Sequence, residues 1–198
     1  MEKNIISHNY KLSAVERRAG NGHNSFLIFL TGLSGSGKST IANILEEKLH
    51  ANKIKTYVLD GDNMRKGINS DLSFSPDDRS ENIRRIGEIS KLFIDAGIVV
   101  LAAFVAPYEE DRNRIKQTVS AENYVEVFVN TSLEVCEERD VKGLYAKARK
   151  GEISNMTGIS APYESPKSPD VEVTEENSIE ESVEIIYSKI RNQLRLKK

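Results

Sequence analysis

The stretch FLIFLTGLSGSGKST, residues 26–40, decides the fold. Its opening apolar run, FLIFLTG (26–32), is continuous rather than alternating, as in a strand covered on both faces of a sheet. GLSGSGKS, Gly32 to Ser39, then fits the spacing G-x-x-x-x-G-K-[ST]. Beyond it Ile41, Leu45 and Leu49 fall four apart, the stripe of a helix that begins at Lys38. A strand, a glycine-rich turn and a helix N-terminus together form a phosphate cradle. The glycines let backbone N–H groups turn inward, and the helix adds its positive end. The spacing predicts nucleoside triphosphate binding by Gly32, Leu33, Ser34, Gly35, Ser36, Gly37, Lys38, Ser39 and Thr40. Lys38 reaches the β- and γ-phosphates, and Ser39 holds Mg²⁺.

Outward from this stretch the same alternation repeats. TYVLD (56–60), IVVLAAFVA (98–106) and YVEVFVN (124–130) read as three more buried strands, with helices between them. Ser75 caps one helix, Pro76 suits its first turn, Asp77 and Asp78 complement its dipole, and Gly97 stops it. Its apolar stripe includes Ile83, Ile86 and Phe93. Pro107 opens a third helix. Thr131 with Glu134 has capping-box spacing for a fourth, which contains Cys136. A last helix from about Asn177 aligns Ile179, Val183, Ile186, Ile190 and Leu194. Such alternation predicts a three-layer α/β fold with a mostly parallel sheet and helices on both faces. Residues 1–24 read as an N-terminal arm, in which SAVE (13–16) caps a short helix. Residues 25–198 read as one P-loop domain. Within it the segment from about 142 to 170 is rich in Gly, Ser, Pro and Lys, and reads as a lid or a disordered loop.

Composition narrows the class. The 198 residues suit one α/β domain, and a formal charge of -2 gives no basic excess for nucleic acid. One cysteine, Cys136, allows no internal disulfide and suits a reducing compartment. No run of about 18 apolar residues is present, and the polar MEKNIISHNY lacks a signal core. A cytoplasmic location with no membrane partner is expected.

The choice among nucleotide-binding activities turns on acids. There is no N-K-x-D run to read guanine, and the strand ending AAFVAPYEED has no acid at its tip. DGD at the end of the second strand supplies Asp60 and Asp62 instead. Either could serve a metal or a reacting hydroxyl, since ligands sit beyond the carboxyl ends of such strands. Asp60 could equally brace the turn. Arg65, Arg79 and either Arg84 or Arg85 suit an anion-binding group, with Asn82 three residues from Arg79 on one helical face. Phe74 suits stacking on a base, a core position or a hydrophobic staple.

On these residues the chain resembles adenylylsulfate kinases. The blocks GLSGSGKST, LDGDNMRKGIN, FSPDDRSENIRRIGEISKLF, EVFVNTSLEVCEERDVKGLYAKARKGEI and TGISAPYE carry the likeness, together with an N-terminal match at Asn4, Ile5 and His8. The resemblance implies transfer of the ATP γ-phosphoryl to the 3′-hydroxyl of adenylyl sulfate, with Mg²⁺. The resemblance puts Asp62 near the 3′-hydroxyl and the metal; Lys38 and Asp62 are the expected catalytic pair, and Ser39 with Asp60 the expected metal site, with Asp62 as the alternative carboxylate. Arg65, Phe74, Arg79 and Asn82 would bind adenylyl sulfate, Val105 would touch it through its backbone, and Lys142 and Leu144 would close over it. Lys142 and Arg149 would shield the anions. The resemblance also implies a homodimer, to which the arm contributes, and leaves room for a separate ATP sulfurylase.

Two positions depart from it. Ala106 stands where such kinases commonly carry a serine associated with phosphorylation, so no phosphoserine can form there. Met156 stands where an aromatic often faces the substrate adenine. It can pack on a ring through its thioether or simply fill a gap. Two other readings stay open, a related kinase acting on another nucleotide-like alcohol such as a cytidine diphosphate derivative, and a non-catalytic nucleotide sensor.

Overall fold

A computed structural model describes residues 8 and 10–196. Asn4 and Ile5 lie outside these residues. Five strands, β1 (Leu27–Thr31), β2 (Thr56–Asp60), β3 (Val99–Ala103), β4 (Tyr124–Asn130) and β5 (Val171–Thr174), form one sheet in the order β2-β3-β1-β4-β5. Every pairing is parallel. The glycine-rich strand therefore sits in the middle, between β3 and β4.

The continuous apolar run of β1 follows from this placement. Phe26, Ile28 and Leu30 point to one face, and Leu27 and Phe29 to the other, all fully buried. Helices α2 (Lys38–Ala51) and α8 (Ile179–Ile190) cover the first face with Ile41, Leu45, Leu49, Val183, Ile186 and Ile190. Helices α4 (Pro76–Asp95) and α5 (Glu109–Val119) cover the second with Ile83, Ile86, Ile94, Ile115 and Val119. Each such buried aliphatic side chain stabilises the fold by about 1.5–3 kcal/mol before entropy is counted.

Local signals set the helix ends. Ser75 Oγ accepts from the Asp78 N–H at the start of α4. At its other end the Gly97 N–H donates to the Ile94 carbonyl and the Ile98 N–H to that of Phe93, a Schellman ending. Gly97 lies at φ +84°, and a Cβ there would meet Asn21 Nδ2 at 2.6 Å. Ser13 and Glu16 form a capping box for α1 (Ala14–Asn21). That helix packs on the end of α4, where Arg17 pairs with Asp95 at 2.6 Å and Asn21 donates to the Gly97 carbonyl.

Several boundaries differ from expectation. The strand read over 98–106 ends at Ala103, because the chain must leave the sheet to reach the left-handed corner at Ala106 (φ 43°). Helix α5 begins at Glu109, two residues after Pro107. Helix α6 (Leu133–Arg139) has Ser132 rather than Thr131 at its cap, since the Thr131 hydroxyl is drawn to the Ser36 carbonyl at 3.0 Å. Strand β5 adds a fifth strand to the four expected, in a stretch with no unbroken apolar run. The segment 142–170 contains a short helix, α7 (Leu144–Arg149), and a bridge between Thr157 and Ala161. Leu194 lies beyond α8 yet remains buried. Among the described residues no helix is long and apolar enough to cross a membrane.

Candidate active site

The turn from β1 into α2 lies over the carboxyl edge of the sheet. A Cβ at Gly32 would sit 2.4 Å from the Val129 carbonyl oxygen, so only glycine lets the loop lie this close to β4. Side chains claim most of the loop's carbonyls. Tyr145 Oη donates to Ser34 O at 2.8 Å, Arg139 Nη1 to Gly35 O at 3.4 Å and Thr131 Oγ1 to Ser36 O. Lys38 Nζ folds back onto Gly32 O at 2.9 Å, Leu33 O at 2.7 Å and Ser36 Oγ at 3.3 Å. With its oxygens engaged from behind, the loop is left to offer N–H groups to an anion. Thr131, Arg139 and Tyr145 come from other elements, and no local sequence pattern signals their parts in the cradle. Burial pushes the Lys38 ammonium down to about 8, opposed by Cys136 and by Asp60 and Asp62 and reinforced by Lys142.

Asp60 links the cradle to the second strand. Its Oδ2 accepts from Ser39 Oγ at 2.6 Å. Its Oδ1 accepts from the N–H groups of Asp62 and Asn63, capping the short helix α3 (Gly61–Arg65). Asp62, two residues on, pairs with the ammonium of Lys142 from the segment before α7. Ser39 and Asp60 thus supply hard oxygen donors side by side. Among the described residues no cluster of three His, Cys, Asp or Glu could hold a metal unaided. This donor set fits Mg²⁺, which is commonly held by one or two protein oxygens together with substrate phosphates.

Across a cavity of about 320 Å³ from the cradle lies a second group. Phe74 is 59% exposed, with the Arg65 guanidinium 4.3 Å and that of Arg79 5.7 Å from its ring centroid. Arg65 Nη1 donates to Leu72 O and Ser73 O. Arg79 donates to Phe74 O, to Thr157 Oγ1 at 2.8 Å and to Asn155 O, which ties α4 to the segment after α7. Asn82 is buried along the same wall. Lys38, Ser39, Asp60, Asp62, Val105 and Lys142 complete the cavity.

Some expected residues stand elsewhere. Arg84 and Arg85 both pair with Glu81, and Arg85 also with Asp71, so neither belongs to an anion group at the cavity. Arg149 pairs with Glu137. Leu144 and Met156 pack with Cys136, Tyr145 and Leu33 in a small cluster behind the cradle and do not line the cavity. Met156 fills a gap there.

The corner after β3 closes the cavity floor. Thr31 Oγ1 donates to Val105 O at 2.6 Å and lies 2.9 Å from the Tyr163 hydroxyl. Ala106 is 2% exposed, and its carbonyl accepts from Arg112 Nη1 at 2.8 Å. Arg112 Nη2 donates to Glu164 O at 2.6 Å, and its Nε faces Glu126 at 3.2 Å. The Glu164 N–H in turn donates to Pro107 O. One buried guanidinium therefore joins α5, β4, the Ala106 corner and the far end of the 142–170 segment.

A central parallel strand feeding a phosphate cradle, with an acid pair at the next strand end and a cationic aromatic wall opposite, defines a P-loop phosphotransferase. Residues 24–174 match the adenylylsulphate kinase family, and the chain belongs to it. It is 55% identical over 170 residues to an adenylyl-sulfate kinase of Lactiplantibacillus plantarum, covering 86% of this chain and 82% of that one. Identity to the adenylyl-sulfate kinase of Staphylococcus carnosus is 52% over 192 residues, 96% of each chain. Among solved structures, the Mycobacterium tuberculosis APS kinase in complex with AMPPNP and APS is 44% identical. It has a TM-score of 0.82 and covers 85% of this chain and 98% of that one.

Proposed function

We propose that the cavity transfers the γ-phosphoryl group of ATP to the 3′-hydroxyl of adenylyl sulfate, giving 3′-phosphoadenylyl sulfate and ADP. The observation that carries the assignment is the juxtaposition of the Lys38–Ser39 cradle with Asp62 on one side of the cavity and Phe74, Arg65 and Arg79 on the other. Family membership gives the acceptor.

On this reading the loop N–H groups and Lys38 hold the donor phosphates, and the three oxygens now around Nζ yield to phosphate oxygens. Phe74 stacks on the acceptor's adenine while Arg65 and Arg79 neutralise its phosphosulfate end. The 3′-oxygen forms a bond to the γ-phosphorus as the bond to the β–γ bridging oxygen breaks, and Asp62 takes the hydroxyl proton. Lys142, already paired with Asp62, holds that carboxylate in place until the acceptor arrives. Mg²⁺, held with the nucleotide by Ser39 and Asp60, would neutralise charge on the phosphates. Catalysis then rests on positioning and electrostatic preorganisation. Ala106 has no hydroxyl, so the phosphoryl group passes directly between substrates.

We also infer a cytoplasmic homodimer. Leu92 is exposed on α4, and sedimentation of the wild type and of the Leu92→Glu variant tests the dimer and whether this side chain takes part in it. Association with a separate ATP sulfurylase would put the supply of adenylyl sulfate beside this cavity.

The deciding assay is ADP release with Mg²⁺-ATP and adenylyl sulfate, with the product identified by mass. Formation of 3′-phosphoadenylyl sulfate that is lost in Asp62→Ala supports the assignment. ATP binding without that product refutes it and directs the search to other alcohols, cytidine nucleotides first.

A further inference from the structure

Asn69 lies in the turn between α3 and α4, fully buried and absent from the cavity wall. Its Nδ2 donates to Asn82 Oδ1 at 2.8 Å, while its own Oδ1 has no partner. Asn82 does line the cavity, and among the described residues its Nδ2 meets no protein acceptor. A side-chain amide has one accepting oxygen and one donating NH₂ group. With the oxygen of Asn82 occupied by Asn69, the group left for a ligand is the NH₂. The opposite pairing would leave both N–H bonds of a buried Asn69 amide without an acceptor. Orphaned buried N–H groups are rarer than under-satisfied oxygens.

Asn69 is also held firmly. Its backbone N–H donates to Met64 O at 3.0 Å. Arg85 clamps the same turn to α4 through Ile68 O at 3.0 Å and through both oxygens of Asp71. The basic pair 84/85 thus contributes through Arg85, which fastens the turn carrying Asn69 and does not line the cavity.

The geometry points to Asn69 as a positioning residue that fixes the sense of the Asn82 amide, so that the acceptor site presents a hydrogen-bond donor at this point. The substrate feature read there is a lone-pair acceptor, an oxygen or an unprotonated ring nitrogen of adenylyl sulfate. This inference rests on the function proposed above.

The test compares Asn69→Asp, Asn69→Leu, Asn82→Ala and the Asn69→Leu/Asn82→Ala double variant. A carboxylate at 69 can only accept, so it would turn the Asn82 amide over and face its oxygen to the cavity. The expected result is a KM for adenylyl sulfate raised about tenfold, the equivalent of one neutral hydrogen bond at about 1.4 kcal/mol. The KM for ATP and kcat should change less than twofold. Asn69→Leu, which carries no buried charge, should raise the acceptor KM by a smaller factor, and should add nothing once Asn82 is alanine. It decides the matter if Asn69→Asp fails to fold. Equal effects of Asn69→Leu with and without Asn82, or a parallel rise in both KM values with a lower Tm, would mean a merely structural role and overturn the inference. A wild-type protein that makes no 3′-phosphoadenylyl sulfate would overturn the function itself, and the inference with it. Wild-type turnover with unchanged variants would overturn only the role of Asn69.

Discussion

Replacing Arg112 by methionine should destabilise the protein by about 3–5 kcal/mol, the range for breaking a buried ion pair by removing one partner. The structure says why the value should not be smaller. Arg112 is 3% exposed and serves Ala106 O, Glu164 O and Glu126 at once. Methionine fills much of the space but donates to none of them. For a chain of this size about 2–4 °C of Tm accompanies each kcal/mol, so Tm should fall by about 6–20 °C. Adding Glu126→Leu removes the stranded carboxylate and should recover about 1–3 kcal/mol. It cannot recover the rest, because two buried carbonyls still lack donors. The sign with pH is also fixed. Burial already pushes the Glu126 carboxyl up, and loss of the guanidinium pushes it further. A carboxyl whose folded pKa is raised favours the folded state at low pH and loses that contribution as pH rises through the folded value. The deficit of Arg112→Met should therefore be smaller at pH 5 than at pH 8. Urea unfolding of the wild type, the two single variants and the double variant at both pH values measures all of this. A loss below about 1 kcal/mol, or no recovery in the double variant, would refute the view of Arg112 as the joint of this corner.

Three further outcomes are expected. Phe74→Ala should raise the KM for adenylyl sulfate by about five- to 150-fold, since stacking on one base contributes about 1–3 kcal/mol, with little change in Tm because the ring is exposed. Met156→Ala should show the reverse pattern, about 2 kcal/mol or more of lost stability and a much smaller change in that KM. ATP binding should take up a proton above pH 8 and none at pH 6.5. Free Lys38 titrates near 8, and phosphates raise that value, so the bound lysine stays charged where the free one does not. Calorimetry in buffers of different ionisation enthalpy checks this, and equal enthalpies across buffers at pH 8.8 would count against it.

The sheet was legible where apolar runs were unbroken. β1, β3 and β4 are covered on both faces, and continuous hydrophobicity is the signature of that burial. β5 escaped because it is a four-residue edge strand, and the residues of VEVT alternate between buried and less buried. The cradle was legible because backbone geometry, rather than a particular partner, demands its glycines. What holds the cradle was not. Tyr145, Thr131 and Arg139 act from elements more than ninety residues away, and no local pattern announces such contacts. Arg84 and Arg85 show the opposite failure. Their partner Glu81 stands three and four residues before them, a spacing that already favoured a helical ion pair over a phosphate site. Of the two readings open for Met156, packing on a ring or filling a gap, no local pattern chooses, because its packing is set by Cys136 and Tyr145.

The strand order has an evolutionary corollary. β3 separates β1 from β2, so the loop that holds nucleotide phosphates and the helices α3 and α4 that carry Phe74, Arg65 and Arg79 grow from non-adjacent strands. The Ser39–Asp60 hydrogen bond spans the gap directly, and the segment around α7 bridges it through Lys142 to Asp62 and through Asn155 and Thr157 to Arg79. On the proposed reading the donor half and the acceptor half are separate modules joined by a narrow polar seam. Residues 61–82 could be exchanged for another alcohol-binding segment while the cradle stayed intact, and a change of substrate would then require new side chains on one module and no redesign of the fold.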